Sequence, residues 1–306
     1  MSKTKNQIIN EVIDATIARL TPADTPENIS EEATQDIEAL IVLENTSRGK
    51  KYGLRVLEVL PNSVIAQFMA AMFPIRCIAC AGLETDPKFD LLCLYQEDGP
   101  DAGTYMESEN ELYKLAIRYN VQLTQNGFKE ICRRLRGIVP RVARTMDPDL
   151  IAVNNGIFNF RTKELLPFSP DYVFLAKSHV NYDPDAVNVT IHNSTDDTDW
   201  DVESWVESLS DDPEIVELLW QIMGAIVRPF VPWNKSAWFY SEEGNNGKGT
   251  LCALMKQLCG ETAVATIPIS DFGKDFMLEP LTRATAIIVD ENDVGTFIDK
   301  AANLKA

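Results

Sequence analysis

The chain has 306 residues, 45 % of them hydrophobic, and carries 46 acidic against 28 basic side chains, a formal charge of −18. That length supplies a sizeable core and two or three domains, while the acid excess repels nucleic acid at long range and excludes a simple DNA-coating protein. Any DNA contact then has to come from a local basic patch or from a channel formed on assembly.

No apolar run approaches the roughly 18 residues that cross a bilayer, so a cytoplasmic protein without membrane contact is expected, its six scattered cysteines kept as thiols. Ile9, Val12, Ile13, Ile17 and Leu20 share one face and predict a helix that Thr21-Pro-Ala-Asp-Thr-Pro26 breaks. Ile37, Leu40 and Ile41 mark a second helix with Ser30 as its N-cap. Residues 1–60 thus read as an acidic helical region with no nameable chemistry. A helix follows over 64–72, then a strand over 91–95, a turn-rich loop over 97–103 and a returning strand over 104–106. Cys77-Ile-Ala-Cys80 with Cys93 lacks a fourth ligand, because the only histidines are His179 and His192; buried packing is expected there rather than zinc.

After Asn126-Gly127, Phe128, Ile131, Cys132 and Leu135 form a buried helical stripe, and Lys129, Arg133 and Arg136 recur at i, i+4 and i+7 along a neighbouring face. Arg134, Arg141 and Arg144 extend this cationic cluster. Two readings stay open: a DNA-phosphate or intersubunit contact, or a solvated face that offsets nearby acids. Segments 149–153, 157–160 and 164–168, with Asn154-Asn-Gly156 as a tight turn, predict a small meander. Residues 187–201 read as a linker between a domain at 61–195 and one at 196–306. Two helices come next, over 200–209 and 213–227, the second with Asp212 as N-cap and Pro213 at the first helical position.

The stretch with the most chemistry begins at Ser236-Ala-Trp-Phe-Tyr240, an aromatic and apolar run that predicts a buried strand. A loop through Gly244, Asn245, Asn246, Gly247, Lys248, Gly249 and Thr250 leads into a helix with Leu251, Leu254, Met255 and Leu258 on one side. Strand, glycine loop and helix make a phosphate-binding loop, in which backbone N–H groups and the positive helix end surround an anion. Lys248 is placed to add a full charge near the β and γ phosphates. Downstream, Ala286-Ile-Ile-Val-Asp-Glu291 is an apolar run fit for a central parallel strand that ends in two acids. Asp290 suits Mg²⁺ and Glu291 the attacking water; the competing reading is a core strand whose acids cap the next element. The expected class is α/β, a mixed α+β N-terminal region followed by a partial P-loop, AAA+-like parallel-sheet domain.

Gly-Asn-Asn-Gly-Lys-Gly-Thr with Ile-Ile-Val-Asp-Glu downstream resembles the superfamily III helicases of phage and plasmid primase-helicases and their poxvirus counterparts. Asn155-Gly-Ile-Phe-Asn-Phe160, Phe168-Ser-Pro170 and Asn181-Tyr-Asp-Pro-Asp-Ala186 resemble the domain that precedes the helicase there. The resemblance implies an ATP-binding DNA helicase subunit, assembling as a ring, a hexamer at full length, around single-stranded or forked DNA. It implies ATP on Gly244 to Thr250, Mg²⁺ at Thr250 and Asp290, and catalysis by Lys248, Asp290 and Glu291. Two departures stand out. Glu242 and Gly249 occupy the places where the general loop has Gly and Ser or Thr. After Asp290 the only cations are Lys300 and Lys305, which implies a helicase truncated before its sensor asparagine and arginine finger. The alternative from another class is a non-catalytic replication assembly or DNA-binding module. A nucleotide or small-molecule kinase is disfavoured by the consecutive acids, and no pair of strand-borne carboxylates suits a primase site.

Overall fold

The computed structural model describes residues 2–48, 53–241, 244, 246–274 and 277–290. It divides into two units, Met1–Tyr95 with Tyr105–Arg144, and Gln96–Thr104 with Thr145–Ala306.

In the first unit, Thr4 caps helix α1 (Lys5–Arg19) reciprocally: its side chain accepts from the Gln7 N–H, and the Gln7 side chain accepts from the Thr4 N–H at 2.8 Å. Helix α2 (Pro26–Thr46) is capped by Thr25, with Pro26 in the first turn, so Ser30 is not the cap. The Thr-Pro pair starts the helix a turn earlier, because proline's fixed φ suits its first position and its missing N–H is not needed there. Ser30 instead donates to the Tyr119 carbonyl at 2.7 Å. Helix α3 (Asn62–Met72) buries Val64, Ile65, Ala66, Phe68 and Met69 completely, as an element apolar nearly all round must. Ile8, Ile13, Ile29, Ile37 and Ile41 share its core, so α1 and α2 pack into the same body as α3.

Strands β1 (Ile75–Ala79), β2 (Leu91–Tyr95) and β3 (Tyr105–Met106), helices α4 (Glu109–Tyr119) and α5 (Gln125–Ile138), and strand β4 (Arg141–Ala143) complete this unit. The sheet order is β3-β2-β1-β4, with β4 parallel to β1 and the other pairs antiparallel. Neither β1 nor β4 is among the strands expected from sequence. β1 carries Cys77, buried like Cys93 on β2.

Burial also covers Cys252 and Cys259 in the second unit, and it pushes the Cys259 thiol up to about 11. The half-buried Cys132 thiol rises to about 11 as well, through burial and then the Glu109 charge. Because the thiolate is the nucleophile, Cys132 and Cys259 are expected to react with a maleimide near pH 8 far more slowly in native than in unfolded protein. Peptide mapping that found either labelled at the unfolded rate would contradict this packing.

The second unit opens with an antiparallel meander, β5 (Leu150–Val153), β6 (Gly156–Asn159) and β7 (Glu164–Leu166). Gly156 is required there, for a Cβ would lie 2.6 Å from the Leu166 carbonyl oxygen. The expected linker at 187–201 contains a hairpin, β8 (Ile191–Asn193) with β9 (Thr198–Trp200). Its turn is built by Asn and Asp side chains that accept backbone N–H groups, Asn193 from Thr195 and Asp196 from Thr198, while Asp197 takes a left-handed φ of 56°. Polar composition here encodes turn chemistry within that stretch.

Helices α6 (Val202–Glu207) and α7 (Pro213–Ile226) are capped by Asp201 and Asp212. Helix α8 (Lys248–Cys259) packs Leu251, Cys252 and Met255 against Val206, Leu219 and Met223. Strands β10 (Val264–Ala265) and β11 (Ala286–Ile287) pair in parallel. Residues 236–240, expected as a buried strand, form none: Trp238 is 65 % and Tyr240 83 % exposed. A strand needs a neighbour for its backbone and a face to bury. The Trp238 indole N–H donates to the nearby Ser236 hydroxyl, at 3.0 Å. In the second unit, parallel pairing is therefore confined, among the described residues, to β10 and β11.

Candidate nucleotide-binding site

Gly247 caps α8 in the left-handed region, φ 84° and ψ −2°, with no side chain bonded to the helix end. Glycine tolerates that conformation, and packing requires it too, since a Cβ would lie 2.7 Å from Leu209 Cδ2. The turn thus rests on the apolar cluster of α6 and α7, and Gly247 as N-cap has no side chain to offer the first N–H groups of α8. Lys248 is half-buried at the helix start and donates from Nζ to Asn246 Oδ1 at 2.7 Å.

The parallel pairing carries the second motif to the same place. Thr285 N–H donates to the Ala263 carbonyl at 2.7 Å and Ile288 N–H to the Ala265 carbonyl at 3.0 Å, so the ladder extends on both sides of β11. Two residues on, both carboxylate oxygens of Asp290 lie 3.7 Å from where a Cβ at Gly249 would stand. Asp290 also contributes, after burial, to the rise in the Cys252 thiol, three positions along α8. Despite the separation in sequence, the carboxylate therefore sits at the first turn of the glycine-loop helix. Crevices at the carboxyl ends of parallel strands are where phosphate ligands bind in such sheets. Gly244, Asn246, Gly249 and Thr250 are exposed. Asn245 and Glu291 lie outside the described residues, as does Glu242.

On the first unit, α5 presents Lys129, Arg133 and Arg136 to solvent while Phe128, Ile131 and Leu135 are buried. Not all of the expected cluster is free of acids. Arg134 pairs with Glu130 at 2.8 Å, one turn earlier. Arg141 forks onto buried Asp90, with Nε to Oδ2 at 2.6 Å and Nη2 to Oδ1 at 3.1 Å. It also holds the Leu83 and Thr85 carbonyls, and Arg136 donates to the Asp90 carbonyl at 2.8 Å. Sequence reasoning missed this node, because Asp90 and Arg141 are far apart in the chain and nothing in either neighbourhood names the other.

Residues 112–221 match the family model described as D5 N terminal like. That match supports kinship with the phage and viral primase-helicases. No curated protein matches the chain. The D5-like segment runs from α4 through the meander into α7, and it contains the α5 cations. It stops short of α8 and Asp290. No helix among the described residues is long and apolar enough to cross a membrane.

Proposed function

We propose that this primase-helicase-type replication protein is an ATP-binding DNA helicase subunit whose nucleotide site is the start of α8. The observation that carries the reading is the convergence of Asp290 on the first turn of α8, beside a glycine-capped helix start without a side-chain cap. A phosphate fits there by the Lys248 charge and by the N–H groups that any helix start presents. Lys248 would leave Asn246 to meet the β and γ phosphates, Gly247 and Gly249 let the backbone approach them, and Asn245 and Thr250 complete the cradle. Asp290 would hold Mg²⁺, with Thr250 as the hydroxyl nearest in sequence, and Glu291 would orient the attacking water. Bound Mg²⁺ would neutralise charge as it develops on the transferred phosphoryl group. Assembly as a ring, a hexamer, and a grip on single-stranded or forked DNA through Lys129, Arg133 and Arg136 belong to the same proposal.

Calorimetric titration of Mg·ATP into the chain and into Lys248→Ala tests the site. Gly249→Ser offers a second probe. Its Cβ would meet Asp290 at ordinary contact distance, and its hydroxyl would stand where the general loop supplies a Mg²⁺ ligand. It is expected to lower the Mg²⁺ concentration at half-maximal nucleotide binding by severalfold, read in a Mg²⁺ titration at fixed ATP.

A second reading, a non-catalytic replication assembly or DNA-binding module, is favoured by one fact. The D5-like match includes α5 but not α8. Its signature is DNA or partner binding that ignores ATP and survives Lys248→Ala.

A further inference from the structure

The row of cations on α5 ends beside an aromatic side chain that the fold holds out of its core. Phe89 is 70 % exposed. A single exposed phenylalanine is ordinary, but the setting of this one is not. It closes a short 3-10 turn, Pro87–Phe89, which Asp86 caps by accepting the Lys88 N–H. The turn is fixed by Phe89 N–H to the Asp86 carbonyl at 3.1 Å and Asp90 N–H to the Pro87 carbonyl at 3.2 Å. The next residue, Asp90, is buried and gripped by Arg141, which also ties down Thr85. Phe89 is therefore presented on a fastened loop.

Its surroundings are cationic. Lys88 Nζ lies 4.7 Å from the ring centroid while pairing with Asp86 at 3.1 Å, and Arg136 reaches the Asp90 carbonyl next to Phe89. From Arg136 the row continues back along α5 through Arg133 to Lys129, the last two without an ion pair among the described residues. A line of cations that ends at a rigidly presented aromatic face is the pairing that single strands require: charge follows the backbone, and the ring takes an unstacked base. A duplex keeps its bases stacked inside and offers such a ring nothing.

We propose that this surface binds single-stranded nucleic acid, with Phe89 stacking a base at the end of the Lys129, Arg133, Arg136 track. This rests on the reading of α5 as a nucleic-acid face, narrows its ligand to the single strand and adds the base contact at Phe89.

The test is fluorescence anisotropy of the full chain with labelled oligo(dT) and with a duplex of equal length, alongside thermal denaturation. Phe89→Ala is expected to weaken oligo(dT) binding roughly 5- to 150-fold, with duplex binding and melting temperature unchanged. Phe89→Trp is expected to keep the affinity and to report binding by quenching of its emission. Lys129→Glu with Arg133→Glu should weaken both ligands and flatten the salt dependence. If that charge reversal weakens binding but Phe89→Ala does not, the α5 reading stands and the stacking proposal falls. An equal loss for both ligands in Phe89→Ala also overturns stacking. Binding that neither change affects, or no binding at all, overturns both.

Discussion

Lys248→Ala is expected to weaken Mg·ATP binding by roughly 10- to 100-fold and to leave the melting temperature unchanged. The magnitude comes from removing one charge-assisted contact to phosphate, about 1.5–3 kcal/mol. The unchanged fold comes from the position: Lys248 opens α8, is only half-buried, and its Nζ bonds to Asn246 two residues away. Alanine at a helix start removes no core contact, and substitutions of that kind stay within about 0.5 kcal/mol. Calorimetry at constant Mg²⁺ reads the first quantity and circular dichroism the second. An affinity equal to that of the unmodified chain, in folded protein, would show that phosphates do not sit at α8.

The second large effect belongs to stability. Arg141→Met is expected to lower the melting temperature by on the order of 10 °C, because it strands the buried Asp90 carboxylate without its forked partner. The same guanidinium fastens the loop at Thr85, so the region that presents Phe89 should loosen as well. Hydrogen exchange over residues 80–90 would register that loosening. Arg141→Met combined with Asp90→Leu should recover much of the loss, since an ion pair replaced as a whole by apolar groups is far less costly than one broken in half. A single variant that melts with the unmodified chain would mean that Asp90 is solvated in solution and that the node holds nothing together.

Phe89→Ala and Arg141→Met address one loop in different ways. The first removes the side chain presented to ligand and spares the fastening; the second releases the fastening and spares the ring. A loss of oligo(dT) binding in both, with a melting shift only in the second, would separate contact from presentation.

Local order in the sequence settled the elements whose signal is local. The stripe of Phe128, Ile131 and Leu135 defines α5 and leaves Lys129, Arg133 and Arg136 outside, because helical periodicity alone decides which positions share a face. The start of α7 at Pro213 behind Asp212 was legible from capping chemistry, and α8 from the Leu251, Leu254, Met255 and Leu258 spacing, although the helix opens earlier, at Lys248. The two motifs around Lys248 and Asp290 were paired from sequence, and the fold brings Asp290 to the first turn of the helix that Lys248 opens. Elements that depend on partners distant in sequence were not legible. Ser236 to Tyr240 has the composition of a core strand, yet all of it but the half-buried Phe239 remains exposed, since composition supplies no neighbouring strand. β4 is three residues long, too short to carry a pattern, and exists because Cys77 to Ala79 lie alongside it. Arg141 looked like one more surface cation until the fold brought Asp90 beneath it. Sequence determined which residue types are available and which share a face; only tertiary structure decided which charges neutralise each other, because a salt bridge is set by distance in space and periodicity carries no information about it.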